Sequence, residues 1–309
     1  MNRRFASVFL CKLVLCRIMK PAVTIGICAK NSQSTLPYTL DSVIRQDYPH
    51  ELMEIVFVDD GSDDRTLEIF ENSISKVDIS SKRFKGQWRG LGCARNTVVE
   101  NASGSYIIWV DADEILESDF VKKQVNLMEQ NPNAGVASAN WGIRPNENLV
   151  LTLELIPGVV EYSTQDWTLP SKLPGTGGAI YRVNAARQAG GFDESLTGGC
   201  EDIDLASRIR KAGWLILRGK ATFYELNSQL STWRVLWKRY VNRGIHSRRL
   251  YRKAEGFFSL YRMNPFASLI SGVLYSIIGY RKTKLKVAFL LPVHFAFKMT
   301  AWFYGFSKG

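Results

Sequence analysis

The chain has 309 residues, 46% of them hydrophobic, and a formal net charge of +11. That length holds one large domain with a sizeable core plus an appendage. Its five cysteines, Cys11, Cys16, Cys28, Cys93 and Cys200, are scattered, odd in number and without a CxxC pair, which argues against a disulfide framework, gives no sign of zinc or dithiol chemistry and suits a reducing cytosol.

Arg3-Arg4 followed by the apolar run Phe5 to Cys16 has the basic and apolar regions of a signal peptide. No small-residue cleavage site follows, and a gene start at Met19 is an equal reading, so residues 1–21 are set aside as an extension of unclear role. Val23 to Ala29 is a continuous apolar run with β-branched residues, the pattern of a buried parallel strand. Leu36 to Arg45 reads as a helix. Glu54 to Val58 is a second buried strand; it ends in Asp59-Asp60-Gly61-Ser62-Asp63-Asp64, and a helix follows from Arg65. Strand, helix, strand, helix predicts a doubly wound α/β domain with a mostly parallel sheet, over residues 22–228. In such sheets ligands bind beyond the carboxyl ends of the strands.

A third run, Tyr106 to Val110, ends in Asp111-Ala112-Asp113. Side chains alternate along a strand, so a D-x-D at its end presents both carboxylates on one face. Such a pair repels itself unless a cation or hydrogen-bond donors compensate. A Mg²⁺ that also grips a diphosphate is one solution, since it is usually held by one or two carboxylates plus phosphate oxygens. An acidic turn with Asp113 or Glu114 capping a helix is the other. Further on, Gly175 to Ala179 permits close backbone approach or forms an ordinary turn. Trp141 and Trp167 lie in a less regular stretch and serve either ligand stacking or packing. Glu201-Asp202 opens a helix to about Ala212, where Asp202 is either a cap or a functional acid.

Charge is unevenly placed. Residues 1–203 carry 20 Lys+Arg against 26 Asp+Glu, a net −6, whereas residues 204–309 carry 20 against 3, a net +17. A basic, aromatic segment suits nucleic acid or, better, an anionic cytoplasmic membrane surface. Residues 229–309 are therefore read as basic amphipathic and apolar helices that associate with a membrane. Ser231 to Arg252 is a helix whose apolar face holds Trp233, Leu236, Trp237, Tyr240 and Val241, with Arg234, Lys238, Arg239, Arg243 and Arg248 on other faces. Pro265 to Tyr280 is short of the roughly 20 residues of a span. Val287 to Phe306 is long enough but contains Pro292, His294 and Lys298. Helices in the membrane plane or re-entrant ones are preferred to a hairpin of spans; a soluble helical subdomain is the alternative.

Thr24 to Asn31, Val58 to Asp64, Gly92-Cys93-Ala94-Arg95-Asn96, Val110 to Asp113, Gly177 to Arg182, Gly190 to Glu194 and Glu201 to Leu205 stand in the order and spacing of the family 2 glycosyltransferases of the GT-A fold. The chain resembles that family over roughly residues 22–225. The resemblance implies a nucleotide-diphosphate sugar donor, a divalent ion (Mn²⁺ or Mg²⁺) and transfer of the sugar with inversion. It implies that Asp113 is a direct metal ligand and that Asp111 supports the metal or approaches the donor. Asp60 would bond the base, Asp59 would lie near the ribose, and Cys28, Lys30 and Asn31 would form one wall. Lys30 stands where relatives often carry an aromatic residue. Arg95 would contact the base or diphosphate, or else pair with Asp59 or Asp60. Gly177, Gly178 and Ala179 would approach donor sugar or acceptor. Asp202 would be the general base, with Glu201 orienting the acceptor or supporting it.

Two departures from the family are visible. No His follows the strand after the Glu201-Asp202 helix, and Glu225 is the substitute acid there. No Q/R-x-x-R-W element is present, which argues for one sugar per encounter rather than a processive synthase. The resulting expectation is a metal-dependent glycosyltransferase at the cytoplasmic face of the membrane. Its acceptor is a glycan or a polyprenyl-linked group, as in exopolysaccharide assembly or protein glycosylation, and nucleic acid is not a partner. A polyprenyl-phosphate sugar synthase and a non-catalytic sugar-nucleotide-binding scaffold are the alternatives.

Overall fold

The computed structural model describes residues 22–143, 148–164, 173–197, 199–226, 232–253 and 264–309. The extension at 1–21 and Trp167 lie outside these. Eight strands, β1 (Val23–Ala29), β2 (Met53–Asp59), β3 (Ser80–Lys85), β4 (Tyr106–Trp109), β5 (Glu114–Leu116), β6 (Ala134–Trp141), β7 (Ile180–Arg182) and β8 (Leu215–Glu225), form one sheet in the order β3-β2-β1-β4-β7-β6-β8-β5. The β3-β2-β1-β4 half is parallel, as doubly wound αβ units require. β7 runs antiparallel to both β4 and β6, and β5 antiparallel to β8, while β6 and β8 are parallel.

Helices α1 (Leu36–Ile44), α2 (Thr66–Ile74), α3 (Leu91–Asn101) and α4 (Phe120–Gln130) cover the sheet, joined by α5 (Leu149–Thr164), α6 (Val183–Gln188) and α7 (Glu201–Lys211). One face of the sheet buries Ile25, Ile27, Phe57 and Ile108 against Leu36, Leu40, Phe70 and Phe120. The other buries Val56, Val58, Ile107 and Trp109 against Val98, Leu205 and Ile209. Both faces are covered, which is why β1 and β2 read as unbroken apolar runs rather than alternating ones. Each such side chain stabilises the fold by about 1.5–3 kcal/mol relative to exposure.

The chain ends in α8 (Trp233–Lys253), α9 (Pro265–Thr283), a short 3₁₀ turn (Lys286–Leu290) and α10 (Leu291–Lys308). Helices α8 and α10 cross at glycines: a Cβ on Gly244 would collide with the Trp302 carbonyl, and one on Gly305 with that of Val241. The apolar face of α8 does not face outward as an interfacial helix would. Leu236 and Tyr240 are buried, and Trp233 and Trp237 pack on Phe297 of α10 and on the α5 cluster. At the centre of this layer Glu154 of α5 accepts from His294 Nε2 (2.7 Å), Lys298 Nζ (2.9 Å) and Tyr240 OH (2.8 Å).

Helix α9 is patterned inside out. Ser268, Gly272, Ser276 and Gly279 face the protein, while Phe266, Ile270 and Leu274 are 83%, 66% and 60% exposed. Lys286–Lys308 is the one stretch among the described residues long and apolar enough to cross a membrane by length and composition.

Candidate functional site

The carboxyl ends of β1, β2 and β4 meet in one crevice with the start of α7. At its centre is Arg95, on the first turns of α3 and 4% exposed. Its guanidinium donates to Glu201 Oε1 (2.5 Å) and, more loosely, to Asp111 Oδ1 (3.5 Å). It therefore pairs with neither Asp59 nor Asp60, as one sequence reading had it. The ring of Phe192 lies beneath it, 5.7 Å from the guanidinium. Burial opposes its charge, but Asp111, Glu201 and Asp202 together hold the Arg95 pKa above the ordinary value.

Asp111 and Asp113 do not end a strand. β4 stops at Trp109, and the pair lies in a tight turn closed by the Glu114 N–H donating to the Asp111 carbonyl (2.9 Å). The turn is also tied from the other side, where the Asp111 N–H donates to Glu114 Oε2 (3.1 Å). The next strand, β5, sets Glu114 opposite Glu225 of β8 in register, so Glu225 reaches the same corner. Burial, then Asp111 and Glu225, push the Asp113 carboxyl up to about 7, against the pull of Arg239. Glu114, fully enclosed, is pushed well above the usual carboxylate range by burial and by Asp111.

Glu201 and Asp202 open α7 after Cys200, which takes a left-handed φ of 72° as the residue before the helix. Asp202 is thus not the cap; its Oδ1 accepts the Ile203 N–H (2.7 Å). Glu201 is 2% exposed and faces Arg95 rather than solvent. Burial, with Asp202 adding to it and Arg95 opposing it, raises its carboxyl to about 6. Asp202 faces the crevice, where a Cβ on Gly175 would come within 2.9 Å of its Oδ2.

Gly177, Gly178 and Ala179 turn inward instead. A Cβ on Gly177 would meet Glu114 Oε1 at 2.7 Å, one on Gly178 would meet the Phe223 ring at 2.6 Å, and Ala179 is buried in the core. Their small size serves packing, and Gly175 is the member of this loop that faces the acid. Trp141, half exposed, lies against Phe223 with centroids 5.6 Å apart.

On the other side of the crevice Asp59 is fully buried and accepts the Ser62 N–H (2.9 Å), closing the turn after β2. It does not line an open ribose site. Asp60 does line the crevice; burial raises its carboxyl against a hydrogen bond from the Arg89 N–H and the charge of Lys30. Asn31, with a φ of 51°, stitches the β1 and β2 loops together: it donates its N–H to Ser62 Oγ and accepts from the Asp63 N–H, each at 3.0 Å. Burial pushes the Cys28 thiol up to about 12, so it is a neutral wall and no nucleophile. Lys30 is exposed with its ammonium over Trp88.

Two residues that the sequence pattern assigned elsewhere reach this site. Arg239 and Arg243, one turn apart on α8, were grouped with the faces of a membrane helix. Arg239 instead opposes, without cancelling, the rise that burial imposes on both Asp113 and Glu225. Arg243, opposed by burial, is pushed up by Tyr240, Glu154, Asp202 and Glu225. Their i, i+4 spacing was readable, but the partner acids lie in other elements. A second link runs through Ser247 of α8, whose Oγ accepts from Trp302 Nε1 (3.2 Å) and meets Cys200 Sγ at 3.9 Å.

Among the described residues no group of three or more His, Cys, Asp or Glu side chains is placed to hold a metal ion. Asp111 and Asp113 supply a carboxylate pair in one turn, and Asp113 is raised first by burial and then by the charges of Asp111 and Glu225. An open carboxylate set completed by phosphate oxygens is the usual way Mg²⁺ is bound beside a nucleotide. The chemistry of this carboxylate pair fits a hard divalent ion.

The family model described as glycosyl transferase family 2 matches residues 24–187, more than half of the 309. Among curated proteins, an uncharacterized glycosyltransferase of Haemophilus influenzae is 33% identical over 111 residues, which is 36% of this chain and 44% of that protein. The poly(ribitol-phosphate) β-N-acetylglucosaminyltransferase TarS of Staphylococcus aureus is 29% identical over 100 residues, 32% of this chain and 18% of that one. The match thus spans less than half the length of these relatives. The probable glycosyltransferase YdaM of Bacillus subtilis is 24% identical over 298 residues, 88% of this chain and 70% of that protein. Among solved structures, the mannosyltransferase PcManGT of Pyrobaculum calidifontis, in complex with GDP-Man and Mn²⁺, superimposes with a TM-score of 0.66 at 19% identity, covering 98% of this chain and 96% of that one. S. aureus TarS 1–349 with UDP gives 0.52 at 18% identity, covering 94% and 91%. These superpositions carry the fold.

Proposed function

The chain belongs to glycosyl transferase family 2, and from that premise we propose that it moves one sugar, with inversion, from a nucleotide-diphosphate donor to a glycan or polyprenyl-linked acceptor at the cytoplasmic face of the membrane. One observation carries this reading. Two acid pairs, Asp111 with Asp113 and Glu201 with Asp202, meet across one buried cation, Arg95. Glycosyl transfer needs two separate acidic stations: one where the departing diphosphate is neutralised, and one where the acceptor hydroxyl is deprotonated.

Asp202 is assigned to the second station. It faces the crevice beside Gly175, where the missing side chain leaves room for an acceptor hydroxyl. Its carboxylate takes the hydroxyl proton as the oxygen attacks the anomeric carbon, on the face opposite the leaving diphosphate. Glu201 and Arg95 hold the start of α7 in place and keep Asp202 aimed. At the first station Asp113, with Asp111, would hold Mn²⁺ or Mg²⁺ together with phosphate oxygens of the donor, and the ion when bound supplies Lewis-acid neutralisation of the leaving diphosphate. Arg239 and Arg243 add positive charge at the same edge. The nucleotide and Mn²⁺ bound by the solved relatives support this donor class.

Membrane attachment is assigned to α9 and α10. Small residues inward and large apolar residues outward is the pattern of a helix that packs on protein through one side and meets lipid with the other. Arg281, Lys282, Lys284 and Lys286 follow directly and suit anionic headgroups.

The test is a donor screen with UDP-, GDP- and dTDP-sugars and Mn²⁺ or Mg²⁺, with the anomeric configuration of the product read by NMR. Transfer with an inverted anomer is expected. Binding of none of these donors would reject the reading, and a retained configuration would reject Asp202 as base.

A further inference from the structure

We propose that Trp88 is the platform on which the donor's nucleobase stacks; this rests on the nucleotide-sugar reading above and assigns a residue that the family pattern does not. The crevice beyond β1 and β2 contains a cavity of about 340 Å³ lined by Lys30, Asp60, Trp88, Leu91 and Thr197. Trp88 lies in the loop between β3 and α3 and is 59% exposed. Among the described residues no ring packs on it; its one face contact is the Lys30 ammonium, 5.2 Å from the ring centroid.

The loop that carries the ring is tied to the end of β2 beside Asp60. The Gly86 N–H donates to the Asp59 carbonyl (2.8 Å) and ties the start of the loop to the end of β2. The Arg89 backbone N–H, just after Trp88, lies near enough to the Asp60 carboxylate to lower its pKa. Between these ties the loop backbone rests on Gly61, whose φ of 78° and absent side chain leave the Trp88 nitrogen 3.1 Å from where a Cβ would sit. The Trp88 backbone thus lies against the Asp59-Asp60-Gly61 turn, tied to it through Gly86.

A nucleobase asks for this pair of features. Its π-face gains from an aromatic plane, and its edge needs a partner of defined polarity. An ionised carboxylate only accepts hydrogen bonds. Asp60 therefore selects bases with a ring N–H beside a carbonyl, which are uracil, thymine and guanine, and disfavours cytosine and adenine, whose corresponding ring nitrogen is an acceptor. Lys30 has no plane to offer, so the aromatic surface comes from a different loop of the same pocket. The base takes the place that the ammonium holds over the ring.

The experiment is calorimetric titration of the full chain with UDP, GDP and dTDP in the presence of Mn²⁺, alongside donor kinetics. Trp88→Ala is expected to raise the Kd of the bound nucleotide about 10-fold or more, as loss of one stacking partner does. Trp88→Phe, which keeps a plane, is expected to stay within about 3-fold. The kinetic loss falls on the donor KM rather than on kcat. Because the side chain is largely exposed, circular dichroism and Tm should not change. Equal nucleotide affinity in wild type and Trp88→Ala would overturn the platform and leave the transferase reading standing. A loss as large in Phe as in Ala would mean loop packing rather than stacking and would also overturn it. If the wild type binds none of the three nucleotides, the platform and the transferase reading fall together.

Discussion

With Arg95 removed, Glu201 is left buried without its counter-charge and Asp111 loses its nearest cation. Breaking one side of a buried pair typically costs about 3–5 kcal/mol, because a charge stays behind in low dielectric. Arg95→Met is therefore expected to lower the unfolding midpoint sharply in urea, while Arg95→Lys, which keeps charge but loses the fork, should fall between. Asp202→Asn tests chemistry instead. It should leave nucleotide affinity within a few-fold and slow transfer by about 10²–10⁴-fold, the usual range for a lost general base. If donor binding were lost and the saturated rate kept, Asp202 would be a binding residue. Glu201 gives a pH prediction. Its folded carboxyl, at about 6, lies above the ordinary 4.5, so folding takes up a proton and its contribution to stability falls as pH rises between those values. The groups around it are Arg95, Asp202 and Asp111, and Glu201→Gln should flatten that part of the stability–pH curve. The four acids were legible because each follows a strand or opens a helix. The bridge from Arg95 to Glu201 was not: the partners are 106 positions apart, and no local pattern records which acid a buried arginine meets.

At the scale of elements, β1, β2 and β4 were legible because strands covered on both faces leave unbroken apolar runs. β3 was missed for the opposite reason. Its sequence, Ser80-Ser81-Lys82-Arg83-Phe84-Lys85, is mostly polar and lies at the sheet edge, where charged residues guard an open ladder. β5 and β7 are three residues each, too short for any periodicity to show. The terminal helices were found by length but not by face. Helix α8 has an apolar stripe, yet the stripe meets α10 and α5, because Gly244 and Gly305 let the α8 and α10 backbones touch. Gly244→Val should therefore force these helices apart. The expected cost is about 1–3 kcal/mol, as for other overpacked cores, read in urea denaturation. Transfer should also fall, since α8 carries Arg239 and Arg243 to the acids. An unchanged Gly244→Val variant would mean that the crossing is looser than drawn.

For the whole molecule, the division of charge sets an acidic first two thirds against a basic terminal third. Part of that positive charge is spent internally: Arg239 and Arg243 face the site acids, and Lys298 pairs with Glu154. Of the remaining charge, Arg281, Lys282, Lys284 and Lys286 form a cluster at the end of α9, next to its exposed apolar face. Truncating the chain before α8 is a poor test of attachment, because it would bare Leu153, Ile156 and Val160 of α5, which the terminal helices bury. Substitutions on the outer face of α9 leave that packing intact. Phe266→Ser with Ile270→Ser and Leu274→Ser should lower binding to vesicles containing anionic lipid even at high salt, since apolar insertion is not screened. Changing the four basic residues to Gln should instead remove the salt-sensitive part, about 1 kcal/mol for each residue near the surface. The two sets act on different terms of one equilibrium, so combining them should abolish sedimentation with vesicles while transfer to a water-soluble acceptor persists. Loss of soluble transfer in the α9 triple variant would show that this helix supports the site itself. Binding to vesicles unaffected by either set would move the attachment surface elsewhere on the chain.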